Sequence, residues 1–298
     1  MPELEQIIKK EEKEKRSVYE RHYKLMAAFS ISLLILAIVY LLVYYGIHNE
    51  FVKKDISLTG GIVLTLYGDY GKSTLEQEVK KFTDAYSIKY TKDLYSGKVA
   101  SSIIEARISE EQAKAIIQDL GIANESYSLE TTSPALGKSF SRQLIIALLI
   151  AFIFMSIVVF ILFRTFVPSI AVILAALTDI IVTLAVINLA GKSLSTAGIV
   201  ALLMLIGYSV DTDIMLTTRV LKRRESPLGE RVRAAFKTGI TMSGTTVIAT
   251  LVAFLLSTSL VLKEIFFILT IGVFVDILST WLGNASIITW YVKRKYKE

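Results

Sequence analysis

Four aspartates, Asp179, Asp211, Asp213 and Asp276, stand inside apolar runs long enough to cross a membrane. A carboxylate at the centre of a spanning helix costs about 2.5–3.5 kcal/mol on insertion scales, so each calls for a physical reason. The chemistry open to such a group is proton binding and release. Desolvation penalises the charged form of a carboxyl when no cation is near, which makes proton uptake and loss the relevant equilibrium. The competing reading is structural, with each aspartate satisfied by neighbouring Ser and Thr hydroxyls and retained for packing. Intramembrane ionisable residues are functional candidates by default, and the recurrence of such groups in three separate runs favours the functional reading.

Spacing constrains which groups can meet. Asp211 shares a helix face with Gly207 and Thr218, whereas Asp213 shares another with Ser209 and Thr217. Two residues along a helix turn by about 200°, so Asp211 and Asp213 point in different directions. Asp179 lies eleven residues beyond Pro168 and Asp276 eleven beyond Ile265, each about 16 Å along its helix. Asp211 lies fifteen residues beyond Thr196, or about 22 Å. All three fall within about 8 Å of the midplane of a hydrocarbon core about 30 Å thick. The stretch TGITMSGTTVIAT supplies Ser243, Gly244, Thr245 and Thr246. Small residues there permit close helix approach, and their hydroxyls are candidates to satisfy a buried carboxylate.

The elements that must position these groups are six apolar runs, Leu25–Tyr45, Leu144–Phe163, Ser169–Leu189, Ala197–Leu216, Ile240–Leu260 and Ile265–Tyr291. Each meets the requirement of about 20 residues for a spanning helix. The first is expected to be a retained span rather than a cleaved signal, because it is too long for an h-region, follows a charged arm and lacks an A-x-A exit. Basic residues cluster in the amino-terminal arm, at Arg164, between the fourth and fifth runs, and in the terminal KRKYK; the opposite side carries Lys192 and Lys263. The positive-inside rule then places both termini in the cytoplasm. The expected organisation is a cytoplasmic arm at 1–24, a first span at 25–45 and an external domain at 46–140. Five further spans follow at 141–291, with a basic cytoplasmic loop at 222–237, and the tail is 292–298.

Within 46–140 the pattern reads β-α-β-β-α-β, the split βαβ order of a ferredoxin-like domain. GGIVLTLY, SIKYTKDL, VASSIIEARI and ESYSLETT read as strands, with YSGK as a turn. STLEQEVKKFTDAY and SEEQAKAIIQDLG read as helices with capping boxes at Ser73/Glu76 and Ser109/Gln112, the second closed by Gly121. GDYGKST lacks the first glycine of a phosphate loop, since Leu66 occupies that position, and Lys72-Ser73 reads as a turn and helix cap. Asn124-Glu125-Ser126 is a glycosylation sequon on the expected outer side.

Composition agrees with a polytopic membrane protein. The 298 residues are 53% hydrophobic with a net charge of +6, and the mean hydropathy is +0.55. Soluble domains carry about 45–50% apolar residues. No cysteine is present, so neither a disulfide framework nor a thiolate metal site is available. The two histidines, His22 and His48, flank the first run and read as interfacial. No metal site, organic cofactor or nucleic-acid partner is expected, and membrane lipid is.

Taken in order, these residues resemble a known family. GYSVDTDIMLTTRVLKRR resembles the fourth-span signature of SecF, a protein-export membrane subunit of the RND superfamily. LTGGI, with Gly60 and Gly61, resembles the entry to SecD/SecF external domains. LTDIIVTLAV and SGTT resemble the family's third- and fifth-span motifs, and the end of the chain, GVFVDILSTWLGNASIITWYVKRK, is similar to the archaeal branch. The resemblance implies a six-span half of a twelve-span RND unit. It implies a SecD-like partner, association with a SecY-type translocon and action on translocating preproteins in the cytoplasmic membrane. It implies a transport subunit rather than an enzyme, and proton coupling through membrane carboxylates. Two departures bear on that coupling. The bacterial pattern places aspartate where this chain has Thr212, and an arginine precedes its S-G-T-T where this chain offers Lys237 or Thr238. A half-unit of another RND exporter, for drugs or lipids, is the alternative. An intramembrane aspartyl protease would need a Gly-x-Gly-Asp span that IGYSVDTD does not supply, and a purely structural scaffold stays open if the aspartates only pair with hydroxyls.

Overall fold

The computed structural model describes residues 18–93, 96–123, 126–222 and 226–296. Tyr95 of the expected turn, Asn124 and Glu125 of the sequon, and residues 223–225 of the basic loop lie outside them, as do most of the amino-terminal arm and the last two residues of the tail.

Among the described residues, six helices are long and apolar enough to cross a membrane. They are α1 (Val18–His48), α5 (Pro134–Phe163), α6 (Phe166–Leu189), α7 (Thr196–Lys222), α8 (Leu228–Leu256), and a last one that starts as α9 (Leu260–Leu278). It passes through a π-helical turn at Ser279–Asn284 and ends as α10 (Ala285–Tyr296). Half or more of the most apolar window is buried in α6, α7 and the last helix, at 61%, 50% and 50%, against 17%, 6% and 17% in α1, α5 and α8. The aspartate-bearing helices therefore form the interior. Exposed apolar residues such as Leu36, Phe154 and Leu255 coat the outer three, as a lipid-facing surface requires.

Between α1 and α5 lies the small α+β domain: α2 (Ile56–Thr59), β1 (Gly61–Tyr67), α3 (Lys72–Lys80), β2 (Tyr86–Lys92), β3 (Val99–Ala106), α4 (Glu110–Asp119) and β4 (Tyr127–Thr132). The sheet order is β2-β3-β1-β4 and all pairs are antiparallel. Alternation in β1 turns Ile62, Leu64 and Leu66 inward, where they pack with Leu75 and Val79 of α3 and Ala113, Ile116 and Ile117 of α4. This is the expected ferredoxin-like order. Gly61 opens β1 at φ 145°, and a Cβ there would stand 2.8 Å from the Ala106 carbonyl oxygen, so only glycine fits.

Several local expectations are corrected. The Ser109/Gln112 capping box forms, but Ser73 does not cap α3. Gly71 occupies the N-cap position and Ser73 lies within the first turn, because the helix begins two residues earlier than a Ser73 cap would set it and pairs Lys72 with Glu76 across a turn. The end of the expected 46–140 domain cuts through α5, which continues from the α+β domain as one helix. The expected fifth span, Ile240–Leu260, is displaced: α8 ends at Leu256, Ser257 is extended, and Leu260 begins α9. Most of the expected basic loop at 222–237 is helical. The first turns of α8 bury Leu228, Val232 and Ala235 against Leu216, Val220 and Ile288, and Arg231 donates to the Val220 carbonyl at 2.7 Å. Charge on the opposite face hid an amphipathic extension.

A polar joint ties the sheet domain to the helices. Asp55 N–H donates to the Leu194 carbonyl at 2.9 Å, and Leu194 N–H to the Lys53 carbonyl at 2.7 Å. Thr196 N–H donates to Ser57 Oγ at 3.1 Å, and Ser195 N–H to Glu264 Oε1 at 2.9 Å. Lys89 of β2 pairs with Glu105 at 2.6 Å and Asp55 at 3.4 Å.

Candidate functional site

The interior helices bring Asp179, Asp213 and Asp276 into one buried cluster. They are 1%, 0% and 2% exposed. On α7, Ser209 precedes Asp213 by one helical turn and faces the same way. Its hydroxyl donates to Asp179 Oδ2 at 2.5 Å. Ser279 also donates to Asp179. Thr280 Oγ1 lies 2.9 Å from Asp213 Oδ1 and 3.1 Å from Asp276 Oδ1. Asn284 Nδ2 donates to Asp213 Oδ1 at 2.6 Å.

The shared Thr280 contact has chemical content. A hydroxyl carries one proton and two acceptor lone pairs, so Thr280 can donate to one carboxylate and accept from the other when that one is protonated. Exchange of these roles would carry a proton between Asp276 and Asp213 without moving a heavy atom far. Thr183 and Thr217 hydroxyls and Asp213 Oδ2 are also buried, without a hydrogen-bond partner among the described residues. Among those residues, no group of three or more His, Cys, Asp or Glu side chains is arranged to hold a metal.

Asp211 stands apart. It is exposed on the opposite side of α7, with Gly207, Tyr208 and Met204 exposed beside it, as the 200° separation of the two aspartates implies. The spacing argument leaves open which of the two it is, and the packing selects Asp213 rather than Asp211 as the α7 member of the cluster. The SGTT residues do not supply the hydroxyls expected of them. Ser243 is buried and Gly244 half-buried, while Thr245 and Thr246 donate back to the Met242 carbonyl of their own helix at 2.7 and 3.1 Å. Such back-bonding is the default for a helical threonine. Gly60 and Gly61 lie at the joint, where a Cβ on Gly137 of α5 would meet Gly60 N at 2.8 Å; they pack rather than touch the carboxylates.

Ser279, Thr280 and Asn284 escaped the sequence reading. All three belong to the π-helical turn, a feature often found at functional sites. The signal available was the cluster of Ser279, Thr280 and Asn284 in STWLGN, three to eight residues after Asp276 in the same span.

Comparison with known proteins agrees with the sequence resemblance. Residues 112–294 match the family described as Protein export membrane protein SecD/SecF, C-terminal. The Protein-export membrane protein SecF of Pyrococcus furiosus is 35% identical over the full length of both chains. That of Methanolacinia petrolearia is 36% identical over 91% of this chain and 94% of its own. Among solved structures, SecDF from Thermus thermophilus, a translocon-associated membrane protein, superposes with a TM-score of 0.72 at 20% identity. It covers 95% of this chain, which spans 39% of the SecDF chain. A super-membrane-facing form of SecDF gives 0.60 at 22% identity. These structural likenesses carry the fold, while the family rests on the sequence matches. With a full-length relationship above 30% identity, the chain belongs to the SecF branch of the SecD/SecF protein-export membrane proteins.

Proposed function

We propose that this chain is the SecF-type accessory subunit of a Sec protein-export system, acting with a SecD-like subunit beside a SecY-type translocon on translocating preproteins. Protons exchanged by Asp179, Asp213 and Asp276 supply the coupling, with no organic cofactor. The export role rests on family membership. The proton role rests on one observation, the Thr280 hydroxyl standing between Asp213 and Asp276. Like charges repel strongly in a low-dielectric interior, and a proton shared through a hydroxyl lowers that repulsion. Movement of a proton through the cluster changes which hydroxyls donate to which carboxyls, and hence the packing preference of α6, α7 and the last helix.

The test compares asparagine replacements. Asparagine keeps the shape of a neutral acid but has no carboxyl proton to release. Asp213→Asn and Asp276→Asn should insert and associate with the SecD-like subunit at wild-type levels while losing export stimulation in cells. Asp211→Asn should keep export if the proton path is confined to the buried cluster. Wild-type export by the Asp179, Asp213 and Asp276 single and combined variants would leave the carboxylates structural. A half-unit of another RND exporter would instead show efflux of a drug or lipid lost with the same substitutions, and export unchanged.

A further inference from the structure

A small cavity of about 20 Å³ lies between α1, α6 and the π-helical turn, lined by residues including Ser30, Ala175, Thr178, Ser279 and Asn284. A water needs about 10–15 Å³ of such volume and two to four polar partners. The volume suffices for one water and not for a larger ligand.

The polar groups are suitably oriented in chemistry. Asn284 spends its amide N–H on Asp213, and its carbonyl Oδ1 is buried without a partner among the described residues. That oxygen accepts only, so it calls for a donor. Ser279 donates to Asp179, and Thr178 donates to the Leu174 carbonyl at 2.7 Å. Both residues line the cavity, and a hydroxyl that donates its proton keeps lone pairs able to accept from another donor. Ser30, 8% exposed on α1 where the neighbouring Ser32 is exposed, is held against the turn: a Cβ on Gly283 would stand 2.5 Å from its Oγ. One water therefore has an unpartnered acceptor and several hydroxyls to bond.

The position of the cavity adds direction. It lies on the amino-terminal halves of α1 and α6 and the carboxy-terminal half of the last helix. The α+β domain follows the carboxy-terminal end of α1, so the cavity occupies the half of the bundle nearer the chain termini.

We propose that this cavity is a water-binding site, and that the water held by Asn284 and Ser30 is the point at which the carboxylate cluster exchanges protons on the terminus side of the bundle. The inference rests on the proton reading above. The water gives a proton to Asp179 through Ser279, or receives one from it, and is restored by exchange with water on that side. No bond other than O–H changes. Asn284 and Ser30 are positioning residues, and Ala175 keeps the space open.

The test uses the full chain with its SecD-like subunit in lipid nanodiscs, by structure determination at a resolution that shows ordered water. The wild type should show one water within hydrogen-bonding distance of Asn284 Oδ1 and Ser30 Oγ, and Ala175→Leu should displace it. An acyl chain in the cavity, or xenon binding there under pressure as in a dry apolar void, would overturn the assignment. Ala175→Leu and Ser30→Val should lose export stimulation while assembling normally, and Ser30→Thr should retain it. Leu177→Phe, on a more exposed part of α6, is the control and should export as wild type. If Ala175→Leu fails to assemble, Ser30→Val carries the test alone, and wild-type export by that variant would sink the exchange role. A water present with export indifferent to the aspartate replacements refutes the relay but leaves the water site. A dry cavity with export sensitive to them does the reverse.

Discussion

Thr280 has one hydroxyl proton and two carboxyl neighbours. Replacing it with valine keeps the shape and removes the bridge. Thr280→Val should cost about 1–3 kcal/mol, the usual effect of leaving buried polar partners unsatisfied, and should lower the thermal unfolding temperature of the detergent-solubilised protein. Thr280→Ser should restore most of the loss, and equal stability of the two variants would mean that the bridge contributes little. The aspartates were legible in the sequence because a charge in an apolar run is conspicuous. Thr280 and Asn284 were not, because neutral polar residues are common in spans and their facing depends on local helical pitch. Outside the membrane, the joint makes a pH prediction. Burial pushes the Glu105 carboxyl up and the neighbouring Asp55 charge pushes it further, with Lys89 opposing. Its folded value is raised, so the fold binds the proton more tightly than the unfolded chain does. That contribution is full below the ordinary glutamate value of about 4.3 and is lost as pH rises through the folded value. Glu105→Gln should therefore gain stability relative to wild type as pH rises across that window. A pH-independent difference between the two melting curves would refute this.

Elements decide which residues meet. In a regular α-helix each fourth residue drifts by about 40° around the axis, so Asp276, Thr280 and Asn284 would fan away from one line. The wider π-helical turn at Ser279–Asn284 reduces the drift, and Thr280 and Asn284 both reach Asp213. No periodicity argument on the sequence contains that change of pitch. The same turn presents Trp281, 2% exposed, to α8, where it meets Phe236 edge-on with ring centroids 5.0 Å apart. Close approach at this point depends on Gly239, where a Cβ would stand 2.2 Å from the Trp281 ring. Gly239→Ala should destabilise the protein by about 1–3 kcal/mol, as overpacking commonly does, measured by thermal unfolding. Unchanged stability would show that the indole moves aside freely. The sheet domain was more readable than the bundle. Alternation in β1 and the Ser109 capping box are local signals, whereas the extension of α8 and the choice of Asp213 over Asp211 depend on which helix packs on which face.

At the scale of the whole molecule, the exposed side of α7 is the unexplained surface. Asp211 lies fifteen residues into this 27-residue helix, and its neighbours Gly207, Tyr208 and Met204 are exposed with it. A carboxylate facing lipid at such depth is costly, so this side calls for a protein or a water-filled cleft against it. The SecD-like subunit proposed above would provide one if the two fourth helices face each other across a pseudo-two-fold axis. Gly207 is the position at which to test it, because it is exposed and a Cβ added there would meet nothing within 4 Å beyond its own stretch of helix. Gly207→Trp should therefore leave the chain's own fold and membrane insertion intact, while a bulky indole at the interface prevents two helices from approaching closely. Co-purification of the SecD-like subunit in mild detergent should fall sharply. Ile153→Trp, on the exposed side of α5, is the matched control and should retain the partner. Full retention by Gly207→Trp would place the seam elsewhere. In that case Asp211 would be left facing water, and a cysteine at that position, which would be the only one in a chain without native cysteine, would be labelled by a membrane-impermeant thiol reagent in the assembled complex.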